Sequence, residues 1–132
     1  MEMVRTEILE PLGMTGSEFV VAGEKLEARL AAGYVVGQDG SIDGGQPAHE
    51  HAGRGYKVPN GGVYSTVADL GRFMGAMSGV PGLQILSEES RREALSIQTP
   101  ENPNRGYGLG FSVQLDEPGR KIASPGGPKS RV

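Results

Sequence analysis

A serine becomes an acyl nucleophile when a base sits within hydrogen-bond reach, and on a helix a lysine three residues later meets that need. This chain has no such pair. The residues three before Lys25, Lys57, Lys121 and Lys129 are Ala22, Arg54, Pro118 and Gly126. No Gly-x-Ser-x-Gly elbow occurs either. The chain has no cysteine, which excludes thiol catalysis and disulfides. In an extended segment, His49-Glu50-His51 would place two imidazoles on one face. Zinc needs three or four ligands, however, and the chain has no further histidine. A solvated loop is the expectation there, with no metal and no cofactor.

Composition narrows the field further. Glycine accounts for 22 of 132 residues, more than twice the usual share of about 7%. Only 36% of residues are hydrophobic and 5% aromatic, so the core is expected to be thin and to order best against a further surface. A net charge of −3 without a basic stripe argues against nucleic acid as a partner. No apolar run approaches the ~18 residues of a membrane span. The first residues, Met1-Glu2-Met3-Val4, lack the charged and apolar regions of a signal peptide, which leaves the compartment undefined.

The elements follow from periodicity. Met1, Val4, Ile8 and Leu9 have near-helical spacing, and Pro11 ends that helix, with a turn at Leu12-Gly13-Met14-Thr15. Tyr34-Val35-Val36 and Ser41-Ile42 flank Gln38-Asp39-Gly40, the pattern of a small hairpin. Residues 44–62 lack periodicity and read as a long excursion loop. Thr66 and Asp69 have capping-box spacing: the hydroxyl would accept a backbone N–H and the carboxylate would reach back. Val67, Leu70, Phe73, Met74 and Met77 would then form one apolar stripe, in a helix weakened by Gly71 and Gly75 and ended by residues 79–82. Ser87 would cap a short helix with Glu88 and Glu89 in its first turn, anchored by Leu95 and Ile97. Tyr107, Leu109, Phe111, Val113 and Leu115 alternate with small and polar residues and predict one strand over 107–115. A turn at Asp116-Glu117-Pro118-Gly119 returns the chain as a short strand near residues 120–123.

Three segments carry a resemblance. Residues 59–74, PNGGVYSTVADLGRFM, followed by Gly106-Tyr107-Gly108-Leu109-Gly110-Phe111, are similar to the later part of serine β-lactamase-like hydrolases. That family takes in class C β-lactamases, penicillin-binding proteins and related esterases. Ile8-Leu9-Glu10-Pro11-Leu12-Gly13-Met14-Thr15 resembles the family's PLGMT turn, and Leu30-Ala31-Ala32-Gly33-Tyr34 its LAxGY. The resemblance implies an α+β fold: a partial β-lactamase or penicillin-binding-protein-like fold, with helices packed on an incomplete antiparallel sheet. Residues 1–132 would form a single partial domain, with a helical and cleft-edge region over 1–100 and a strand hairpin over 106–124.

The family's chemistry requires Ser-x-x-Lys and Tyr-x-Asn, and the second test fails like the first. Tyr34, Tyr56, Tyr64 and Tyr107 are followed two residues on by Val36, Val58, Thr66 and Leu109. Both motifs precede the PLGMT turn in the family, so the chain reads as a C-terminal-half fragment with no catalytic residue. Ile122-Ala123-Ser124-Pro125-Gly126-Gly127 resembles the third family motif, GHxGG, with Ser124 where His usually stands. Ser124, Gly126 and Gly127 are therefore the candidate substrate-binding residues. The implied function is a segment of a serine hydrolase acting on β-lactam, D-amino-acid peptide or ester bonds, inactive alone. The alternative is a non-catalytic binding or interaction module on the same scaffold. The partners implied are a small-molecule acyl substrate once the fold is completed, and self-association through an exposed strand edge.

Overall fold

A computed structural model describes residues 2–19, 24, 28–31, 34–44, 62–116 and 119–125. The chain divides into two compact units, Met1–Ala76 and Met77–Val132. The first begins with helix α1 (Glu2–Val4), which runs on into a π-helical turn at Arg5–Leu9. Its wider bonding brings the Glu10 N–H to the Arg5 carbonyl at 3.0 Å and the Met14 N–H to the Leu9 carbonyl at 2.8 Å. The stop at Pro11 is as expected, because proline has no N–H to continue the ladder. The turn that follows buries Leu12 and Met14 beside Leu9. Strands β1 (Tyr34–Val36) and β2 (Ile42–Gly44) form the expected hairpin, with Val36 opposite Ile42. Its turn differs in detail, since only Gly40 has positive φ, at 80°. Asp39 instead uses its carboxylate, accepting from the Ser41 hydroxyl at 2.6 Å and the Ser41 N–H at 3.0 Å. Those bonds, the hydroxyl's first, hold its pKa below the usual aspartate range. Most of the expected loop over 44–62 lies outside the described residues.

Helix α2 (Val67–Ser78) starts where Thr66 caps it, its hydroxyl accepting the Asp69 N–H at 3.1 Å. The second half of the predicted capping box does not form. The Asp69 carboxylate, on a residue only 5% exposed, turns away from the cap. Its Oδ2 accepts the Gly16 N–H at 2.8 Å and the Ser17 hydroxyl at 2.8 Å. A buried carboxylate without donors is very costly, so the two partners supplied by Gly16 and Ser17, just after the PLGMT turn, outcompete the local cap. Glu18 and Tyr64 then exchange backbone hydrogen bonds of 2.9 and 2.8 Å, as an antiparallel bridge. Arg5 ties the leading helix to the same segment through Glu18 at 3.0 Å.

This arrangement overturns the predicted apolar stripe. Val67 is 88% and Leu70 52% exposed, while Asp69, Ala76 and Met77 are buried. With Asp69 inward, residues four, seven and eight positions on share its face, and Val67 and Leu70 are carried to the other side.

The second unit holds α3 (Glu88–Ala94) and a four-stranded antiparallel sheet whose strands neighbour one another in chain order. Ser87 caps α3 as predicted, its hydroxyl accepting the Ser90 N–H at 3.1 Å. Ala94 is the buried anchor, and Leu95 and Ile97 are only half-buried. The strands are β3 (Thr99–Asn102), β4 (Arg105–Tyr107), β5 (Phe111–Leu115) and β6 (Lys121–Pro125). The single strand expected over 107–115 is a hairpin instead. The chain reverses at Gly110, whose φ of 83° a side-chain-bearing residue rarely adopts. A Cβ on Gly108 would overlap the Ala94 carbonyl, so this turn lies hard against the end of α3. Its backbone is held there by the Leu109 N–H on the Ala94 carbonyl at 2.9 Å. Strand β3, with Pro100 and exposed throughout, has no alternating pattern to announce it. It lies at the edge of the sheet, where proline is tolerated.

Two stability outcomes follow. Replacing Ser17 with Ala leaves Asp69 short of a donor and is expected to cost about 1.5–3 kcal/mol, the range for a hydrogen bond to a charged group. Asp69→Asn, which keeps an acceptor oxygen, should cost less than Asp69→Ala; equal urea midpoints for those two would contradict the clamp. Gly71 is helical, and a Cβ there would meet nothing within 4 Å. Gly71→Ala should therefore add about 1 kcal/mol and raise the thermal midpoint by a few degrees. A lowered midpoint would show crowding at that position.

Candidate functional site

Of the three residues singled out for substrate binding, the structure describes Ser124; Gly126 and Gly127 lie outside the described residues. Ser124 stands in β6 and is exposed. Its position is set by register. Ser124 pairs with Ser112 of β5, and Ser112 pairs with Tyr107 of β4. Directly paired residues share a face, so Tyr107, Ser112 and Ser124 form one row of hydroxyl-bearing side chains across three strands. Arg105, Gln114 and Ile122 form the next row on that face. The opposite face carries Phe111 and Val113, 7% and 0% exposed, and supplies the core. The strand alternation recognised in sequence thus has a second product: the residues between the core positions make a polar, accessible face that includes Ser124. Ser112 was not identified from sequence, because its partner depends on a reversal at Gly110 that alternation alone does not reveal.

A second group of polar side chains lies in the first unit. Ser17 has a single hydroxyl proton and places it on Asp69, so in the 2.8 Å contact between Ser17 and Ser65 the donor is Ser65. The chain Ser65 to Ser17 to Asp69 has the outline of a catalytic relay, but a hydroxyl occupies the place of the base. A hydroxyl cannot take up a proton near neutral pH as His or Lys does, so Ser65 is not activated. The pocket beside it is lined by Gly16, Glu18, Arg29, Leu30, Tyr64, Ser65 and Thr66 and measures about 70 Å³. That is room for a few waters, far below the ~300–1,000 Å³ of ligand sites. Glu18 is already paired with Arg5. Among the described residues no base stands beside Ser65, and the group serves as a structural joint.

Among the described residues no three His, Asp or Glu side chains gather as a metal site. His49, Glu50 and His51 lie outside the described residues. No described helix is long and apolar enough to cross a membrane.

Comparison with known proteins agrees with this architecture. The beta-lactamase family model matches residues 2–129. No curated protein matches significantly. Among solved structures, the octameric penicillin-binding protein homologue from Pyrococcus abyssi is similar, with 26% identity and a TM-score of 0.64. The match covers 92% of this chain and 27% of that one, so this chain spans about a quarter of the homologue's length. The fold is α+β, a partial β-lactamase and penicillin-binding-protein-like fold, and with the family model matched over nearly its whole length the chain belongs to the beta-lactamase family.

Proposed function

We propose that this chain is a segment of a serine hydrolase of the β-lactamase type, contributing a wall of the acyl-binding cleft and none of the reacting groups. The observation that carries the reading is a contrast. The scaffold matches over residues 2–129, yet the sequence has neither Ser-x-x-Lys nor Tyr-x-Asn. The activity of the completed enzyme would be hydrolysis or transfer of an acyl group from a β-lactam, a D-amino-acid peptide or an ester. Ser124, with Gly126 and Gly127 after it, would meet the substrate's carboxylate or carbonyl oxygen, and Ser112 and Tyr107 extend the same polar row.

The serine at position 124 has a consequence for substrate choice. A hydroxyl donates a neutral hydrogen bond, whereas a protonated His or Lys donates a charge-assisted one of about twice the strength. The completed enzyme should therefore favour neutral esters over carboxylate-bearing substrates. A non-catalytic binding module is the competing reading, favoured by the same missing motifs.

Assayed alone on a chromogenic cephalosporin and a p-nitrophenyl ester, the chain is expected to show no saturable turnover. Turnover abolished by changing one serine would refute the inactive-segment reading. Combined with a polypeptide bearing Ser-x-x-Lys and Tyr-x-Asn, it should yield a hydrolase. In that enzyme Ser124→His should raise kcat/KM for a carboxylate-bearing β-lactam about fivefold relative to a neutral ester, the effect of about 1 kcal/mol. An unchanged ratio would remove Ser124 from the site, and a tight complex without turnover would favour the binding module.

A further inference from the structure

The polar face of the sheet carries one row that reaches every strand. Thr99 of β3 pairs with Tyr107, and the row continues through Ser112 to Ser124. Each of the four strands thus supplies one hydroxyl at the same level. Thr99 and Ser124 are exposed, and Tyr107 and Ser112 are half-buried. Paired serines and threonines commonly bond to one another across strands. Here none of the four hydroxyls has a hydrogen-bond partner among the described residues. Each therefore offers both a donor and an acceptor at the surface. The surroundings add no net charge. In the next row Arg105 is neutralised by Glu101 at 3.2 Å, and Gln114 and Ile122 follow it, Ile122 being 48% exposed. Neighbouring strands lie about 4.8 Å apart, so the hydroxyls recur at that interval over roughly 14 Å.

We infer that this row binds an uncharged carbohydrate chain laid across the strands. Three features choose that occupant. Sugar hydroxyls both donate and accept, as the row does, whereas an ionic ligand finds no net charge to hold it. A pyranose ring takes up about one strand interval, so successive sugars meet successive hydroxyls. An extended peptide presents its same-side groups only about every 6.8 Å and falls out of step. Sugars also have apolar C–H faces, and the Tyr107 ring and the Ile122 side chain give these a surface beside the hydroxyls. The consequence for the reaction rests on the proposed function. With Ser124 beside the acyl group at one end, the rest of the row receives the alcohol part of the substrate, which makes that substrate a sugar ester. Its hydrolysis breaks the acyl–oxygen bond, water giving its hydroxyl to the acyl carbon and a proton to the sugar oxygen.

The test titrates the full chain with xylohexaose, a neutral linear oligosaccharide, and follows amide shifts by NMR and heat by calorimetry. Saturable binding is expected, with the largest shifts along the row. Thr99→Val, Tyr107→Phe and Ser112→Ala each remove a hydroxyl and should each weaken binding about two- to tenfold, the effect of one net hydrogen bond. Ser112→Thr keeps the hydroxyl and should bind like the wild type. Because the hydroxyls hold no described residue, all four variants should keep the wild-type thermal midpoint, which separates lost binding from lost folding. Absence of binding overturns the inference, as does binding that the three hydroxyl-removing variants leave unchanged. Tighter binding of an uncharged hexapeptide of glycine and serine overturns it too, and would assign the row to an extended peptide. In the completed enzyme, Ser112→Ala should lower kcat/KM for acetylated xylohexaose relative to p-nitrophenyl acetate. Xylohexaose binding by a completed enzyme that hydrolyses neither ester would refute the proposed function and leave the carbohydrate site standing. Hydrolysis of both esters in a ratio that Ser112→Ala does not move would refute the sugar-ester inference alone.

Discussion

The first unit is organised around one buried carboxylate. Asp69 accepts the Gly16 N–H and the Ser17 hydroxyl, joining segments more than fifty residues apart in the chain. A buried ion must be compensated, and here two donors from a single turn do it. The consequence reaches beyond the pair. Holding residues 16 and 17 at the start of α2 aligns Glu18 with Tyr64 in their backbone bridge. Turning Asp69 inward also sets the rotation of the helix. Ala76 and Met77, on the same side of the helix, are buried, and Val67 and Leu70 face out. One side-chain choice at the first helical turn thus decides which face of a twelve-residue helix is covered.

Backbone proximity, more than side-chain bulk, organises the second unit. The reversal at Gly110 and the approach of Gly108 to the Ala94 carbonyl turn one alternating segment into two paired strands. Few large side chains are then needed to make a core, because Phe111 and Val113 are covered by neighbours at close range. A glycine-rich, aromatic-poor composition suits such a fold. The same pairing lines up Tyr107, Ser112 and Ser124 on the other face. Core and accessible polar row are two products of one register, and a slip by a single residue would exchange them.

Family membership and the family's catalytic motifs part company in this sequence. The scaffold is matched nearly end to end, while the groups that attack and transfer protons in the family are absent from the sequence. Function belongs to sites carried on a fold and not to the fold itself. Among the described residues the chain carries a joint held by Asp69, a sheet with one polar face, and exposed apolar side chains at Val67 and Leu70.

Reading residues alone was most successful where the determinant was local. Pro11 ends a helix because it has no N–H, Ser87 caps because its oxygen reaches a free amide, and Gly40 allows a tight reversal; each acts within a few residues. The absence of the nucleophile and base motifs is equally plain from spacing. The rest depended on partners distant in sequence. Asp69 was expected to satisfy its own helix, but the donors that won were 53 and 52 positions away. The apolar stripe was misjudged for the same reason, since periodicity reports that a helix has faces and not which one a neighbour covers. Alternation over 107–115 placed Phe111 and Val113 on the core face correctly, but it put Tyr107 there too and extended the strand through residues 108–110, because it could not register a reversal permitted by one glycine. Strand β3 left no pattern at all, because an exposed edge strand has no core to alternate against. Sequence by itself determined the family, the absence of the two catalytic motifs and the local stops and caps. Tertiary structure decided which donor each buried charge received, and through it which surfaces were covered and which were left to face outward.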